Sequence, residues 1–216
     1  MSSIKNAFAT VLTFLCVYFS PGIFASLIHP SQGLLIQFTT FAYILGACIC
    51  LLILIRKKER NPLERKEPKS TRMSILLTGI VSIFLVAFIQ VIAAQIEQLI
   101  LGTSATSTNT QTIIQIMKQY PFFLVATTIA GPIMEELVFR RSIAGILSIY
   151  SPSWLAFSIS SLLFALAHND GHYLIYFSIG FFFCYLYKKT GSIWTSIIAH
   201  AGMNFLVSII QLLFVK

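Results

Sequence analysis

Long apolar runs, separated by short polar connections, make up most of the chain. A transmembrane helix needs about 20 mostly apolar residues, and seven runs are candidates. The predicted spans are residues 7–28, 34–55, 73–101, 121–149, 153–168, 173–187 and 192–215. The pattern predicts an all-α, polytopic transmembrane helical bundle with about seven transmembrane helices. Because no internal repeat or low-complexity tract is visible, residues 1–216 are treated as a single integral membrane domain.

Composition agrees with this class, since 56% of the 216 residues are hydrophobic, 10% are charged and the mean hydropathy is +0.83. The net charge of +8 is concentrated in one short loop, RKKERNPLERKEPKSTR at residues 56–72, with eight Lys or Arg against three Glu. A basic loop between apolar runs is typical of a topology signal, so we expect membrane lipids and no nucleic acid as partners. The four cysteines lie within apolar runs and lack zinc-ribbon spacing.

The basic loop also predicts the orientation of the chain in a cell membrane. By the positive-inside rule, residues 56–72 are cytoplasmic, the uncharged connection 102–111 is external, and Lys188 and Lys189 are cytoplasmic. The N-terminus is then cytoplasmic and Lys216 external. The first run continues beyond a signal-peptide cleavage position, so it is interpreted as a retained helix.

The stretch GPIMEELVFRRS, residues 131–142, places four charges beside or within the fourth predicted span. A charged side chain costs roughly 2.5–3.5 kcal/mol at the centre of a bilayer on insertion scales, so such residues default to a functional interpretation. We extend the helix to about residue 149, which puts Glu135 near its middle. Counted from the predicted cytoplasmic helix ends, Glu135, His168 and His200 lie about 21, 22 and 15 Å deep at 1.5 Å per residue. Allowing for tilt, the three side chains reach a similar depth.

Helical phase assigns different tasks to the two adjacent glutamates. Successive residues point about 100° apart, so Glu135 and Glu136 are expected to face different partners. Glu136 precedes Arg140 by four residues, the favourable order for an ion pair along one helix face. Glu135 is then left to take a proton from water and return it, as a general base does. His168 could share that water.

His200 and Asn204 are also four residues apart, and together they could supply two neutral hydrogen-bond donors to an oxyanion. Phe164, one turn before His168, is expected to wall the site or pack in the core. Each histidine alone could equally be a hydrogen-bonded core residue. The coincidence in depth is what favours a shared site.

The remaining polar residues nearby carry no predicted chemistry. Asp170 and His172, in the sequence HNDGH, are interpreted as a solvated turn, and Arg141 as reaching toward the cytoplasmic interface. From the residues alone two functions remain open. One is a hydrolase that activates water within the membrane, and the other is a proton-coupled carrier, which the lack of an inverted repeat makes less favourable.

Three motifs, in this order, resemble the signatures of the type II CAAX prenyl endopeptidase and bacteriocin-processing (CPBP, or Abi) family of intramembrane proteases. The stretch EELVFR (Glu135, Glu136, Arg140) matches EExxxR, FALAH (Phe164, His168) matches FxxxH, and HAGMN (His200, Asn204) matches HxxxN. Residues 121–207 would form the family's catalytic core. The resemblance implies an endopeptidase whose cavity opens to the cytoplasm, with Glu135 and His168 activating water, His200 and Asn204 stabilising the oxyanion, and Glu136 and Arg140 supporting the site.

The resemblance leaves the cofactor and the substrate open. Family members are commonly called metalloproteases, and Glu135, His168 and His200 could supply three ligands to a catalytic zinc. The sequence lacks HExxH, however, and the same residues suit a metal-free glutamate mechanism, which we favour. The expected substrate is a hydrophobic or leader peptide, processed as a CAAX tail, pheromone or bacteriocin-related peptide. A non-proteolytic scaffold or a bacteriocin self-immunity protein is the alternative, and the oligomeric state is not predicted.

Overall fold

The computed structural model describes residues 2–56, 60–64, 70–102 and 108–214, and within these ranges it contains helices and no strand. The all-α prediction is therefore confirmed for the described residues. They form eight helices and a short 3-10 turn at Pro62–Glu64. The helices are α1 Ser2–Ile28, α2 Gln32–Arg56, α3 Arg72–Leu101, α4 Thr108–Gln119, α5 at residues 123–150, α6 Ser153–His168, α7 Tyr173–Thr190 and α8 Ile193–Phe214.

Four of these helices are long and apolar enough to cross a membrane by length and composition. They are Ile4–Ile28, Gln32–Arg56, Arg72–Ile100 and Ile193–Phe214. The helix Ser153–His168 is apolar but shorter, and α5 carries the charged stretch of residues 131–142. The protein is thus a polytopic membrane helical bundle, while the count of seven transmembrane helices stays a prediction.

Helix α4 is absent from the predicted spans, and its first residues fall within the connection 102–111. It is amphipathic, with Ile114 and Met117 buried against Ile36 of α2 and Phe123 of α5. Apolar residues at positions 113, 114, 116 and 117 repeat at helical spacing. This spacing is the feature of the sequence that indicates the helix. Residues 103–107 of the same predicted loop lie outside the described part of the chain.

Helix α5 runs without a break through residues 123–150, as the long-helix prediction required. Two of its segments, Ala126–Ala130 and Glu136–Ala144, have π-helical hydrogen bonding. A π segment has more residues per turn than an α-helix and often marks a functional site. The second segment begins at Glu136, so the angular relation between Glu135 and the residues after it differs from that of a regular α-helix.

Residues 60–64, in the basic connection between α2 and α3, pack against one end of the bundle, called here the basic end. The Asn61 amide nitrogen donates hydrogen bonds to the Tyr187 hydroxyl at 2.9 Å and to the Arg141 carbonyl at 3.1 Å. Gly145 makes this approach possible, since a Cβ there would collide with the Asn61 amide. Arg141, predicted to reach toward the cytoplasmic interface, forms an ion pair at 3.0 Å with Glu64 of this same basic connection.

Candidate active site

A cavity of about 550 Å³ brings the three sequence motifs together. From the motifs, it is lined by Glu135, Phe164, His168, His200 and Asn204. The remaining motif residues, Glu136 and Arg140, are completely buried behind that wall. The prediction that acid, imidazoles and amide converge from three helices thus agrees with their placement.

Glu136 and Arg140 form the predicted ion pair, with 3.2 Å between Oε1 and Nη1 and no exposed surface on either side chain. The Arg140 guanidinium lies over the ring of Phe164 at 4.1 Å and that of Phe183 at 5.1 Å. Gly180 leaves room for this group, because a Cβ there would lie 3.1 Å from Nη2. None of the three guanidinium nitrogens of Arg140 forms a regular hydrogen bond within the described part of the chain. The charge is therefore compensated by one carboxylate and by aromatic faces, which attract cations.

His200 lies between the two adjacent glutamates. Its Nδ1 is 2.8 Å from Glu136 Oε1, and its Nε2 is 3.6 Å from Glu135 Oε2. The expectation that Glu135 and Glu136 face different partners is therefore wrong. Opposite edges of one imidazole reach both carboxylates, and the change from α to π geometry at this point alters the 100° phase on which the expectation depended.

His168 is fixed by its own helix and by α7. Its Nδ1 lies 2.8 Å from the Phe164 carbonyl, and its ring stacks on Tyr176 with 3.8 Å between centroids. The Tyr176 hydroxyl in turn donates to Asp170 at 2.8 Å. His168 and Glu135 both line the cavity, but no hydrogen bond joins them. Phe164 packs edge-on against the His168 ring at 4.5 Å, so it is both a buried core residue and a wall of the site.

Asn204 has a backbone partner, because its amide nitrogen donates to the Thr127 carbonyl at 3.2 Å. The π segment explains why this carbonyl is available. The Gly131 N–H donates to Ala126, five residues back, and the next residue is Pro132, which has no N–H. One amide hydrogen of Asn204 thus completes the backbone of α5, and the other is not needed for that bond.

Sequence reasoning missed a second buried carboxylate–imidazole pair beside the cavity. Glu97 of α3 is buried, and its Oε2 lies 2.8 Å from His172 Nδ1. Interpreting His172 as part of a solvated turn was therefore wrong, and Asp170 is engaged by Tyr176. Glu97 was overlooked at the end of a predicted span, although an acid in an apolar helix is itself a signal of function.

The zinc hypothesis requires three ligands around one point. Across the ranges that the structure describes, no group of three His, Cys, Asp or Glu side chains is placed to hold a metal ion. The carboxylate and two imidazoles have suitable chemistry for zinc, but in this arrangement their donor atoms do not form such a group.

The cavity and residues 60–64 of the basic connection lie toward opposite ends of the bundle. Thr39 and Tyr43 line the cavity from the first half of α2, whereas Arg56 is the last residue of that helix. Gln90 and Ala94 line it from the second half of α3, whereas Arg72 is the first residue of that helix. The cavity also includes His168 at the last position of α6 and several residues of α4. A basic connection on the cytoplasmic side would therefore place most of these lining residues in the external half of the bundle.

The fold and site define a membrane-embedded protein with a buried acid–imidazole centre, and comparison with known proteins identifies the family. The sequence profile described as "Type II CAAX prenyl endopeptidase Rce1-like" matches residues 117–206. The chain belongs to this family.

Two curated relatives are similar over most of the chain. The protein named "Putative membrane peptidase YdiL" of Bacillus subtilis (strain 168) is 38% identical over 168 residues, covering 77% of this chain and 68% of YdiL. The "Membrane-embedded CAAX protease MroQ" of Staphylococcus aureus (strain USA300) is 38% identical over 173 residues, covering 75% of this chain and 69% of MroQ. No solved structure matches the chain at a significant level. The family and these relatives support a membrane protease of the CAAX type.

Proposed function

We propose that the protein is an intramembrane endopeptidase that hydrolyses a peptide bond of a membrane-associated peptide by a glutamate-activated water. The observation that carries the proposal is the shared cavity of Glu135, His168 and His200, in which the Nδ1 atom of each histidine is held by another group. Fixing Nδ1 leaves Nε2 of each ring directed at a reacting group. The side chain of Glu135 is 21% exposed, which gives a water access to it.

In the proposed reaction, a water lies between Glu135 and His168. Glu135 removes a proton from this water while the water oxygen attacks the carbonyl carbon of the scissile bond. Glu135 then delivers that proton to the amide nitrogen as the C–N bond breaks. The products are a carboxylic acid and an amine, and Glu135 returns to its ionised form.

His200 and the free amide hydrogen of Asn204 would stabilise the oxyanion formed in the attack. Since the Glu136 carboxylate accepts from Nδ1, His200 can donate from Nε2 only when both ring nitrogens carry protons. The oxyanion role therefore requires the imidazolium form of His200, and not the neutral donor expected from the sequence. Glu136 and Arg140 act by holding His200 in place.

The proposed substrate is a hydrophobic peptide, either a CAAX-type tail or a leader, pheromone or bacteriocin-related peptide. MroQ is named as a CAAX protease, which supports the first option. The cavity volume of about 550 Å³ is within the usual range of ligand clefts, so it suits a segment of chain and not a folded domain.

The direct test is cleavage in proteoliposomes that contain the purified protein. We expect a farnesylated CAAX peptide, its unprenylated counterpart or a hydrophobic leader peptide to yield two fragments by mass spectrometry. A chelator should leave the rate unchanged in this metal-free mechanism. If a chelator abolishes cleavage and zinc restores it, the mechanism is wrong, whereas intact peptide that accumulates inside the vesicles would indicate transport.

For orientation, we retain the positive-inside rule, which places the basic end in the cytoplasm and directs the cavity toward the external half of the membrane. In a cysteine-free variant, an impermeant maleimide applied to intact cells should label Ser31→Cys, at the opposite end, and not Arg60→Cys. Both should react after lysis. Labelling of Arg60→Cys alone on intact cells would reverse the assignment and give a cavity directed toward the cytoplasm.

A further inference from the structure

The cavity contains a third imidazole that belongs to none of the three motifs. His172 lines it together with His168 and His200. All three rings are held in the same way, because Nδ1 contacts the Phe164 carbonyl in His168, the Glu136 carboxylate in His200 and the Glu97 carboxylate in His172. His172 thus repeats, in the same cavity, the carboxylate–imidazole arrangement of His200.

Glu97 is fully engaged in holding this ring. Its Oε2 lies 2.8 Å from His172 Nδ1, and its Oε1 accepts the Leu174 N–H at 2.8 Å in the first turn of α7. Only 1% of Glu97 is exposed, and it lies on α3, outside the profile match at residues 117–206. A buried carboxylate is costly unless it is hydrogen-bonded. Both Glu97 oxygens are hydrogen-bonded, one to His172 and the other to the backbone N–H of Leu174 two residues later.

His172 is part of the cavity wall, and its Nε2 is the ring nitrogen that Glu97 does not hold. Its Nε2 has no hydrogen-bond partner among the described residues, and it is not one of the buried atoms lacking a partner. Because an ionised carboxylate can only accept, the contact with Glu97 Oε2 favours a proton on His172 Nδ1. In the neutral ring, the Nε2 lone pair is then an acceptor directed into the cavity.

We infer that His172 binds a backbone N–H of the peptide substrate, and that Glu97 is the positioning residue that fixes its ring for this task. This inference rests on the proposed function. Peptide N–H groups are the donors that an extended substrate offers repeatedly. His172 contributes to substrate binding, while the bond-breaking step remains with Glu135.

Chemical labelling tests the placement without requiring cleavage. Diethyl pyrocarbonate modifies unprotonated imidazoles, and we expect it to modify His172 in the detergent-solubilised Glu135→Gln variant, as detected by mass spectrometry. A farnesylated CAAX peptide or its unprenylated counterpart should protect His172. His29, which is exposed and outside the cavity, is the matched control that should react and stay unprotected.

Each pattern of protection has a distinct meaning. If His172 stays unmodified while His29 reacts, the claim that His172 Nε2 is accessible from the cavity is wrong. Peptide protection of His168 or His200 without His172 overturns this inference and leaves the proposed function standing. If neither peptide protects any cavity histidine, the cavity is not the peptide site, and both proposals fail.

A substitution separates substrate binding from folding. In His172→Asn, the amide nitrogen can replace Nδ1 as donor to Glu97, but nothing replaces Nε2. We expect KM to rise about five- to tenfold, as for loss of one hydrogen bond, with kcat and the melting temperature near their wild-type values. His29→Asn is the matched control and should change none of these. An unchanged KM, or a loss of kcat alone, would contradict the assignment.

Discussion

Glu135→Gln is expected to abolish peptide cleavage while the protein still accumulates in the membrane. The loss should be about 10²- to 10⁴-fold, the usual contribution of a general base. Glutamine has the same shape but cannot take a proton from water at neutral pH. Folding should be little affected, because the Glu135 side chain is partly exposed to the cavity and its nearest ionic partner, His200, is 3.6 Å away. Cleavage rates and membrane abundance are measured together.

Glu64→Gln is the matched control for removal of one carboxylate. Glu64 is also partly exposed, and it pairs with Arg141 at the basic end, away from the cavity. This variant should cleave at the wild-type rate. Should Glu135→Gln also retain cleavage at normal abundance, Glu135 is not the base, and the proposed mechanism fails at its first step.

Glu136→Gln and Arg140→Met are expected to lower the stability of the protein, and activity with it. Each variant leaves the other charge buried without its partner, a change that typically costs about 3–5 kcal/mol. Glu136→Gln also removes the carboxylate that holds His200 Nδ1. Thermal unfolding in detergent and the amount of folded protein in membranes are the measurements.

The double variant tests whether the two residues act as a pair. Glu136→Gln combined with Arg140→Met should be less destabilised than the sum of the single changes, since neither charge is left buried alone. Arg56→Met, at the exposed end of α2, controls for the loss of an arginine and should have little effect. Additive losses in the double variant, or wild-type melting of either single variant, would contradict the pairing.

Much of the candidate site was predictable because its motifs lie on helices and share a depth. Spacing of four residues predicted the Glu136–Arg140 pair, and the structure has it. Counting residues along each helix brought Glu135, His168 and His200 to one level, and all three line one cavity. These predictions depend only on local helix geometry, which a sequence carries directly.

Other features could not be obtained from local geometry. Glu97 and His172 are 75 positions apart and meet only because α3 packs beside the start of α7. The shared contact of Glu135 and Glu136 with His200 depends on where α5 changes from α to π hydrogen bonding. Such contacts arise from packing between elements, for which a single sequence has no periodic signal.

The sequence by itself determined the class of protein, the family motifs and the helix positions of the reacting groups, because hydrophobic run length and residue spacing are local properties. Only the tertiary structure decided which nitrogen of each histidine is held and which faces the cavity. It also added His172 to the wall and placed the cavity away from the basic end. These outcomes depend on the packing of helices distant in the chain, where buried polar groups must find partners.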